Sequence, residues 1–259
     1  MPKPSDNLLP LSIARAKLIR ALASRKRRHA ERLFVIEGAR LVEEALAPGI
    51  DLQFVFGLHP QVAAAAHRRP DIPFHVTEEI DLFQTESPQG IGAVVRMNPI
   101  VGLGDVVESG RPHIFLDAIT DPGNAGTIVR SAEWFGVEPV LFGRGCVDPW
   151  NAKGARASMG AILRAAIRVD VGIEELLGSG RSIVALDGDG TVELGDAAFG
   201  RSSIGEGAIY VIGNEGKGVD RRILARADAV VRIPGSGRGE SLNAAMAATL
   251  LLWELFRLH

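Results

Sequence analysis

Between Ile209 and Glu254 the chain runs twice through one pattern: an apolar run that empties into a glycine-rich loop. Ile209–Ile212 leads into Gly213-Asn-Glu-Gly-Lys-Gly218, and Ala229–Ile233 leads into Pro234-Gly-Ser-Gly-Arg-Gly-Glu-Ser-Leu-Asn243. A short polar helix is predicted between them over Asp220–Ala227, and a final helix over Ala244–Arg257. Glycine leaves backbone N–H and C=O groups open to a ligand, with no side chain in the way. Two such loops leaving apolar strands describe a pocket for a small molecule. The order of the glycines restricts which one. Gly213-x-x-Gly216-x-Gly218 reverses the G-x-G-x-x-G order of a dinucleotide fold, and no G-x-x-x-x-G-K-[ST] stretch cradles a triphosphate.

Short apolar runs recur upstream at His113–Leu116, Val140–Phe142 and Ile183–Leu186. Helical patterns lie between, over Asn124–Phe135 and Ile173–Leu177. Runs this apolar, without alternation, belong to a parallel sheet covered on both faces. Open parallel sheets bind ligands outside the carboxyl ends of their strands. The loops after Leu186, Ile212 and Ile233 therefore meet in one place, and the fold class of this half is α/β.

The first ninety-odd residues read differently. Residues 1–10, with three prolines, are predicted to be a loose tail. A helix with Ile13, Leu18, Ile19 and Leu22 on one side ends in the basic cluster Arg25-Lys-Arg-Arg28. Strands at Phe34–Ile36, Leu52–Phe56, Phe74–Val76 and Ile91–Arg96 alternate with helices at Arg40–Ala47, Gln61–His67 and Glu78–Phe83, which makes a smaller α/β module. Residues 98–111, rich in glycine and without periodicity, read as a linker, so the expected domains are 1–97 and 112–259.

Net charge is −2 over the whole chain, but residues 1–40 carry +7 and the remainder −9. That asymmetry suits a basic face for phosphates on an acidic body. The single cysteine, Cys146, excludes an internal disulfide and a cysteine-based zinc site, and the scattered histidines give no metal-ligand spacing, so no metal is expected. The polar N-terminus has no signal-peptide pattern, and the longest apolar run, Leu242–Trp253, is interrupted by Asn243 and Thr249 and too short for a membrane span. A cytoplasmic protein is expected.

A third motif precedes the glycine loops: Asp121-Pro-Gly-Asn-Ala-Gly-Thr-Ile-Val-Arg130. Pro122-Gly123 suits the centre of a type II turn, with Asn124 as helix N-cap. Neither explains Arg130, a cation in an otherwise small and apolar helix that needs an anion or solvent. Taken with Gly213–Gly218, Ile233-Pro234 and Glu240-Ser-Leu-Asn243, this motif resembles the SpoU (TrmH) family of RNA ribose 2′-O-methyltransferases, from His113 to the C-terminus. The resemblance implies a SPOUT-class trefoil knot, S-adenosylmethionine as cofactor, RNA as substrate and a homodimer. Glu37-Gly38-Ala-Arg-Leu-Val-Glu43 likewise resembles the family's N-terminal substrate-binding domain of the ribosomal L30e type.

Carried onto this sequence, the resemblance places Arg130, Asn124, Glu215, Ser241 and Asn243 at the catalytic centre. It places Gly213, Ile233 and Leu242 against the cofactor, with Ile212, Asn214, Asp187 and Gly188 bordering the same pocket. Lys153–Gly160 also matches a family segment, which puts Arg156 and Ser158 near the RNA or the rim of the site. A sulfonium already activates its methyl group, so the chemistry needs no metal. It needs a ribose hydroxyl held in line and its departing proton accommodated. A guanidinium is a poor base, so Arg130 is assigned to orienting the hydroxyl and stabilising the developing alkoxide. Gly235 and Gly239 stand where the family carries larger residues and are expected to loosen the pocket wall. The substrate expected is 23S ribosomal RNA. The alternatives are the same reaction on transfer RNA, a catalytically silent RNA-binding or ribosome-assembly protein, and a small-molecule enzyme using another nucleotide.

Overall fold

The computed structural model describes residues 8–85, 87–102, 104, 106, 110–196, 207–236 and 241–258. They fall into two units, Met1–Met97 with Asp148–Arg164, and Asn98–Val147 with Ala165–His259.

In the first unit, strand β1 (Leu8–Pro10) is followed by helix α1 (Ile13–Ala21) and helix α2 (Arg25–Glu31). Ser12 starts α1 by accepting a hydrogen bond from Arg15 N at 3.3 Å, and α2 ends at Arg32, whose φ is 57°. Then come β2 (Leu33–Glu37), α3 (Ala39–Ala45), β3 (Leu52–Gly57), α4 (His59–Ala66), β4 (Phe74–Val76) and β5 (Ile91–Arg96), with a 3₁₀ turn at Ile80–Leu82. The sheet order is β1-β4-β3-β5-β2, parallel across β1, β4 and β3 and antiparallel across β3, β5 and β2. Ile19 and Leu22 pack with Phe54, Phe56, Phe83 and Val94 to form its core.

The expected loose tail is corrected in part. Leu8–Pro10 pairs in parallel with Phe74–Val76 as an edge strand, where a proline can sit without interrupting a ladder. Residues 1–7 lie outside those described. The basic cluster also differs from expectation. It forms its own helix, α2, and Arg28 is buried at 5% exposure, its Nε and Nη2 donating to Asp148 Oδ2 at 2.7 and 2.5 Å. Arg28 Nη1 donates to the Leu22 and Ala23 carbonyls, His29 Nε2 lies 3.1 Å from Asp148 Oδ1, and Arg27 pairs with Glu31. Arg28 is thus part of the core, and is no phosphate contact.

The second unit begins with β6 (His113–Leu116), α5 (Pro122–Phe135) and β7 (Val140–Gly143). The chain then contributes Asp148–Arg164 to the first unit, through α6 (Ala152–Ala157) and a 3₁₀ turn at Ala161–Leu163. It returns with β8 (Ile167–Val171), α7 (Ile173–Leu177), β9 (Ile183–Leu186), β10 (Val192–Glu193), β11 (Ile209–Ile212), α8 (Arg221–Leu224), β12 (Ala229–Arg232) and α9 (Ala244–Leu258). The sheet order is β10-β12-β9-β11-β6-β7-β8, and every pair is parallel. Phe115, Leu141, Val171, Ala185, Ile209 and Val211 form its core, and Val106, from the stretch read as a linker, is fully buried among them.

The pattern did not disclose α6, β8 or β10, and α8 is shorter than the predicted Asp220–Ala227. Strand β8 alternates buried Ile167, Val169 and Val171 with more exposed Arg168 and Asp170, as befits the edge of the sheet rather than its middle.

Candidate active site

The sheet register sets the site. Ile212 lies opposite Leu186 on one side and Leu116 on the other, and Val231 lies opposite Leu186. Four parallel strands therefore end together, and the loops that begin at Asp117, Asp187, Gly213 and Ile233 leave from one edge, as the sequence required.

The first of these loops is held tightly. Asp117 N donates to Ile212 O at 2.8 Å, and Asp117 Oδ2 accepts from Asp220 N at 2.7 Å. Burial raises the Asp117 pKa above its ordinary value. Ala118 follows with φ 51°, a costly conformation for a residue with a Cβ, and its carbonyl accepts from Asn214 Nδ2 at 2.7 Å. Sequence reasoning missed both residues. The only cue available was an aspartate directly after an apolar strand.

Helix α5 then begins at Pro122, one residue inside its N-cap, Asp121, which accepts from Asn124 N at 2.8 Å. This corrects the expected type II turn and the expected cap at Asn124. Proline at the first helical position has its φ already set for helix and lacks only an N–H that would have no partner there. The Asn124 side chain is thereby freed for other work. Its Nδ2 donates to Glu215 Oε1 at 3.0 Å, and its Oδ1 accepts from Asn243 Nδ2 at 3.0 Å. Glu215 also accepts from Thr120 N at 3.4 Å and Asp121 N at 3.3 Å, and so ties the glycine loop to the start of α5. Partial burial acts to raise the Glu215 pKa, but hydrogen bonds from Asn124 and from backbone N–H groups outweigh it and hold the carboxylate below its ordinary range.

The glycine loop closes on itself. Asn214 and Gly218 exchange backbone hydrogen bonds at 2.9 Å, and Asn214 Oδ1 accepts from Gly216 N and Lys217 N. A Cβ on Gly213 would lie 2.3 Å from Gly218 C, so glycine is needed here for the chain to pass itself, whatever is bound. Asn214 thus spends its Oδ1 on this turn and its Nδ2 on Ala118. The Asp187 carboxylate reaches the same loop, since a Cβ on Gly218 would lie 3.4 Å from its Oδ2. Nothing lies within 4 Å of a Cβ built on Gly188 or Gly235, so both face open space beside the strand ends. Ile212 is buried, Ile233 half-buried and Leu242 47% exposed.

Of the residues singled out as catalytic, Asn124, Glu215 and Asn243 are joined in one chain of side-chain hydrogen bonds. Asn243 also caps α9, its Oδ1 accepting from Ala245 N at 2.9 Å and Met246 N at 3.3 Å. Arg130 is exposed and forms no ion pair among the described residues, which meets the need for solvent or an anion by exposure. Ser241 is exposed and has no hydrogen bond to this chain among the described residues. Gly239 and Glu240 lie outside the described residues. Arg156 is exposed and belongs to the first unit, whereas Ser158 is fully buried and bonds to Ala155 O at 2.7 Å, which removes it from any surface role. Cys146 is buried too, with its thiol pushed up to about 12, so it is no nucleophile.

The fold and the edge where its loops meet are those of an α/β protein with a ligand site at the carboxyl ends of a parallel sheet. Comparison with known proteins gives the family. Residues 111–253 match the SpoU rRNA Methylase family, and residues 14–93 match the MRM3-like substrate binding domain. The 23S rRNA (guanosine(2553)-2'-O)-methyltransferase RlmP of Bacillus subtilis (strain 168) is 31% identical over 242 residues, covering 90% of this chain and 92% of that one. An AdoMet-bound rRNA methyltransferase from Sinorhizobium meliloti superposes with a TM-score of 0.78 at 27% identity, covering 97% of this chain and 98% of that one. The SpoU methyltransferase AviRb from Streptomyces viridochromogenes gives 0.77 at 26% identity, covering 94% and 96%. The chain belongs to the SpoU family of RNA methyltransferases.

Proposed function

We propose that the protein methylates a ribose 2′-hydroxyl of structured RNA, with S-adenosylmethionine as cofactor and 23S ribosomal RNA as substrate. The observation that carries this is the chain Asn243–Asn124–Glu215, which ties the family's three motif loops together at the carboxyl edge of the sheet. Similarity to RlmP over nearly the whole chain supports ribosomal over transfer RNA.

The residues present fit the cofactor. The open space beside Gly188 and Gly235 leaves backbone groups free to hold an adenosyl group, together with Gly213, Ile233 and Leu242. Bound there, S-adenosylmethionine supplies a methyl group already activated by its sulfonium. The protein holds the acceptor. Arg130, with no ion-pair partner among the described residues, orients the ribose hydroxyl and stabilises charge on its oxygen as the proton leaves. Glu215 and Asn124 fix the loop from which α5 presents Arg130, and Asn243 joins the last helix to them. Residues 1–97, an L30e-like domain joined by Asp148–Arg164, select the RNA, and the second unit carries the transfer within a knotted chain.

The enzyme acts as a cytoplasmic homodimer. Trp134, Met246, Leu250, Trp253 and Phe256 are large, apolar and exposed on α5 and α9, two helices that pack together and share a Ser131–Thr249 hydroxyl contact at 2.8 Å. An apolar face of that kind marks an interface. Among the described residues no helix is long and apolar enough to cross a membrane.

The test is incubation of purified protein with radiolabelled S-adenosylmethionine and total RNA from a strain lacking the gene, beside Arg130→Ala. Label in large ribosomal RNA that survives as an alkali-resistant dinucleotide is expected. Label in transfer RNA would keep the chemistry and overturn the substrate. Cofactor binding without label in any RNA would make this a binding protein.

A further inference from the structure

The first unit holds a cleft of about 210 Å³, lined among others by Glu37, Arg40, Thr85, Gln89, Arg156 and Met159. We propose that it is a subsite for one unpaired nucleotide of the RNA strand, with the base against Met159 and the flanking phosphates on Arg40 and Arg156. This rests on the RNA-modifying reading above and names how the first unit engages that substrate.

The walls are fixed before any ligand arrives. Glu37, the last residue of β2, is buried, and its two carboxylate oxygens accept from Gln84 N at 2.6 Å and Thr85 N at 3.1 Å, which anchors the following loop. Gln89 Oε1 accepts from Ala39 N at 2.9 Å and closes that loop against the start of α3. The opposite wall is the end of α6. There Met159 has φ 51° and Gly160 φ 100°, two consecutive left-handed residues. They are held by the buried Ser158, whose Oγ donates to Ala155 O and accepts from Ile162 N at 3.3 Å. The buried serine thus fixes the backbone on either side of Met159, and a wall held this way before binding suits recognition.

The chemistry of the lining points to nucleic acid. Arg40 and Arg156 are exposed and pair with no carboxylate among the described residues, and the buried Glu37 carboxylate is already spent on backbone donors. Two exposed guanidinium groups with no carboxylate partner among the described residues suit phosphates, and their planes stack on bases. The side chains of Leu41 and Met159 supply an apolar surface, while the hydroxyls of Thr85 and Ser87 can read a base edge. The volume lies below the roughly 300–1,000 Å³ of pockets for drug-sized ligands, which suits a single base and sugar rather than a paired helix. Sequence-specific proteins read RNA at such splayed, unpaired nucleotides.

The experiment compares wild type, Arg130→Ala and the double variant Arg40→Gln/Arg156→Gln as full-length proteins. The readouts are fluorescence anisotropy with short single-stranded oligo(U), oligo(A) and oligo(C) over a salt series, and methyl transfer to total RNA. Both arginines are exposed, and circular dichroism checks that the double variant is folded. The double variant should bind at least one oligonucleotide about tenfold more weakly, with the slope of log K against log salt reduced by about 1.4, while Arg130→Ala serves only as the control for lost methyl transfer. In methyl transfer its loss falls on KM. Unchanged affinity and slope would overturn the subsite. So would equal competition by free mononucleotide, or by an acidic peptide, which would make it a small-molecule or protein site. If wild type transfers no methyl to any RNA but the double variant still loses oligonucleotide binding, the subsite stands and the enzymatic reading falls. If transfer proceeds with an unchanged KM in the double variant, the reverse holds.

Discussion

Asn243 Nδ2 donates to Asn124 Oδ1 at 3.0 Å across 119 positions of sequence, while Asn243 Oδ1 caps the helix that Asn243 itself begins. One amide thus links the last motif to the first and starts α9. The two jobs separate by substitution. Asn243→Asp keeps the cap but replaces the donor with a carboxylate oxygen facing Asn124 Oδ1. Rotating the Asn124 amide does not help, because its oxygen would then face Glu215. Asn243→Asp should unfold within about 0.5 kcal/mol of wild type yet lose methyl transfer at least about tenfold. Asn243→Ala should lose the transfer and about 1 kcal/mol of stability as well. Wild-type transfer by Asn243→Asp, measured beside urea unfolding, would reduce the link to architecture.

Arg130 forms no ion pair among the described residues, so its removal leaves nothing stranded. Arg130→Ala should change unfolding by no more than about 0.5 kcal/mol while lowering kcat about 10²–10³-fold, the usual cost of one donor to a developing oxyanion. Arg130→Lys should recover little, because a point charge does not reproduce the planar fork. A full recovery by lysine would mean that charge alone matters there.

These residues also mark how far the sequence could be read. The parallel strands and the meeting of their loops followed from apolar runs punctuated by glycine, because burial on both faces demands such runs. Asn124, Glu215 and Asn243 were singled out by motif, but their hydrogen bonds span more than ninety positions and left no local trace. Asp121 displaced Asn124 as the cap because Pro122 fits a helix's first turn as well as it fits a tight turn, and local pattern alone does not distinguish the two. Arg28 was grouped with its basic neighbours because nothing nearby reveals a partner 120 residues away. Strand β8 was missed because its alternation at the sheet edge leaves no apolar run, and β1 because its neighbouring prolines read as a loose tail.

A pH dependence follows from His113. It is fully buried, and its Nε2 donates to Val106 O at 3.2 Å. Burial first, and the charge of Arg181 second, push its pKa from 6.5 down to about 4. Between those values the unfolded chain takes up a proton that the folded protein refuses. The stability present above pH 6.5 is therefore lost as pH falls towards 4, by on the order of 3 kcal/mol. His113→Gln, whose amide can still donate to Val106, should be less stable at neutral pH but show a flatter profile. Urea midpoints measured across that window check it, and parallel profiles would remove His113 as the cause.

The apolar face of α5 and α9 gives a prediction about assembly. Trp253 is 49% exposed and lies against Phe135 and Phe256. Trp253→Glu would place a charge in the middle of that face and should convert a dimer into a monomer in sedimentation, with helical content unchanged. A wild-type protein that sediments as a monomer would refute the dimer directly.

Asp148 and Arg28 are each 5% exposed, and the pair joins α2 to the head of the segment that carries α6. Removing one partner leaves a buried charge. Asp148→Leu should therefore cost about 3–5 kcal/mol, since it strands the Arg28 guanidinium with only the Leu22 and Ala23 carbonyls. Arg28→Met should cost a similar amount, softened by the contact of Asp148 with His29. The double variant Arg28→Met/Asp148→Leu should recover most of the loss, because a buried ion pair is worth little more than an apolar pair of similar volume. Urea unfolding of the four proteins closes the cycle, and a coupling near zero would mean that water reaches the pair. The same series bears on the cleft. If the pair holds the segment in register, Asp148→Leu should weaken RNA binding together with stability, and the double variant should restore both. Loss of stability alone would place the pair's work entirely in the core of the first unit.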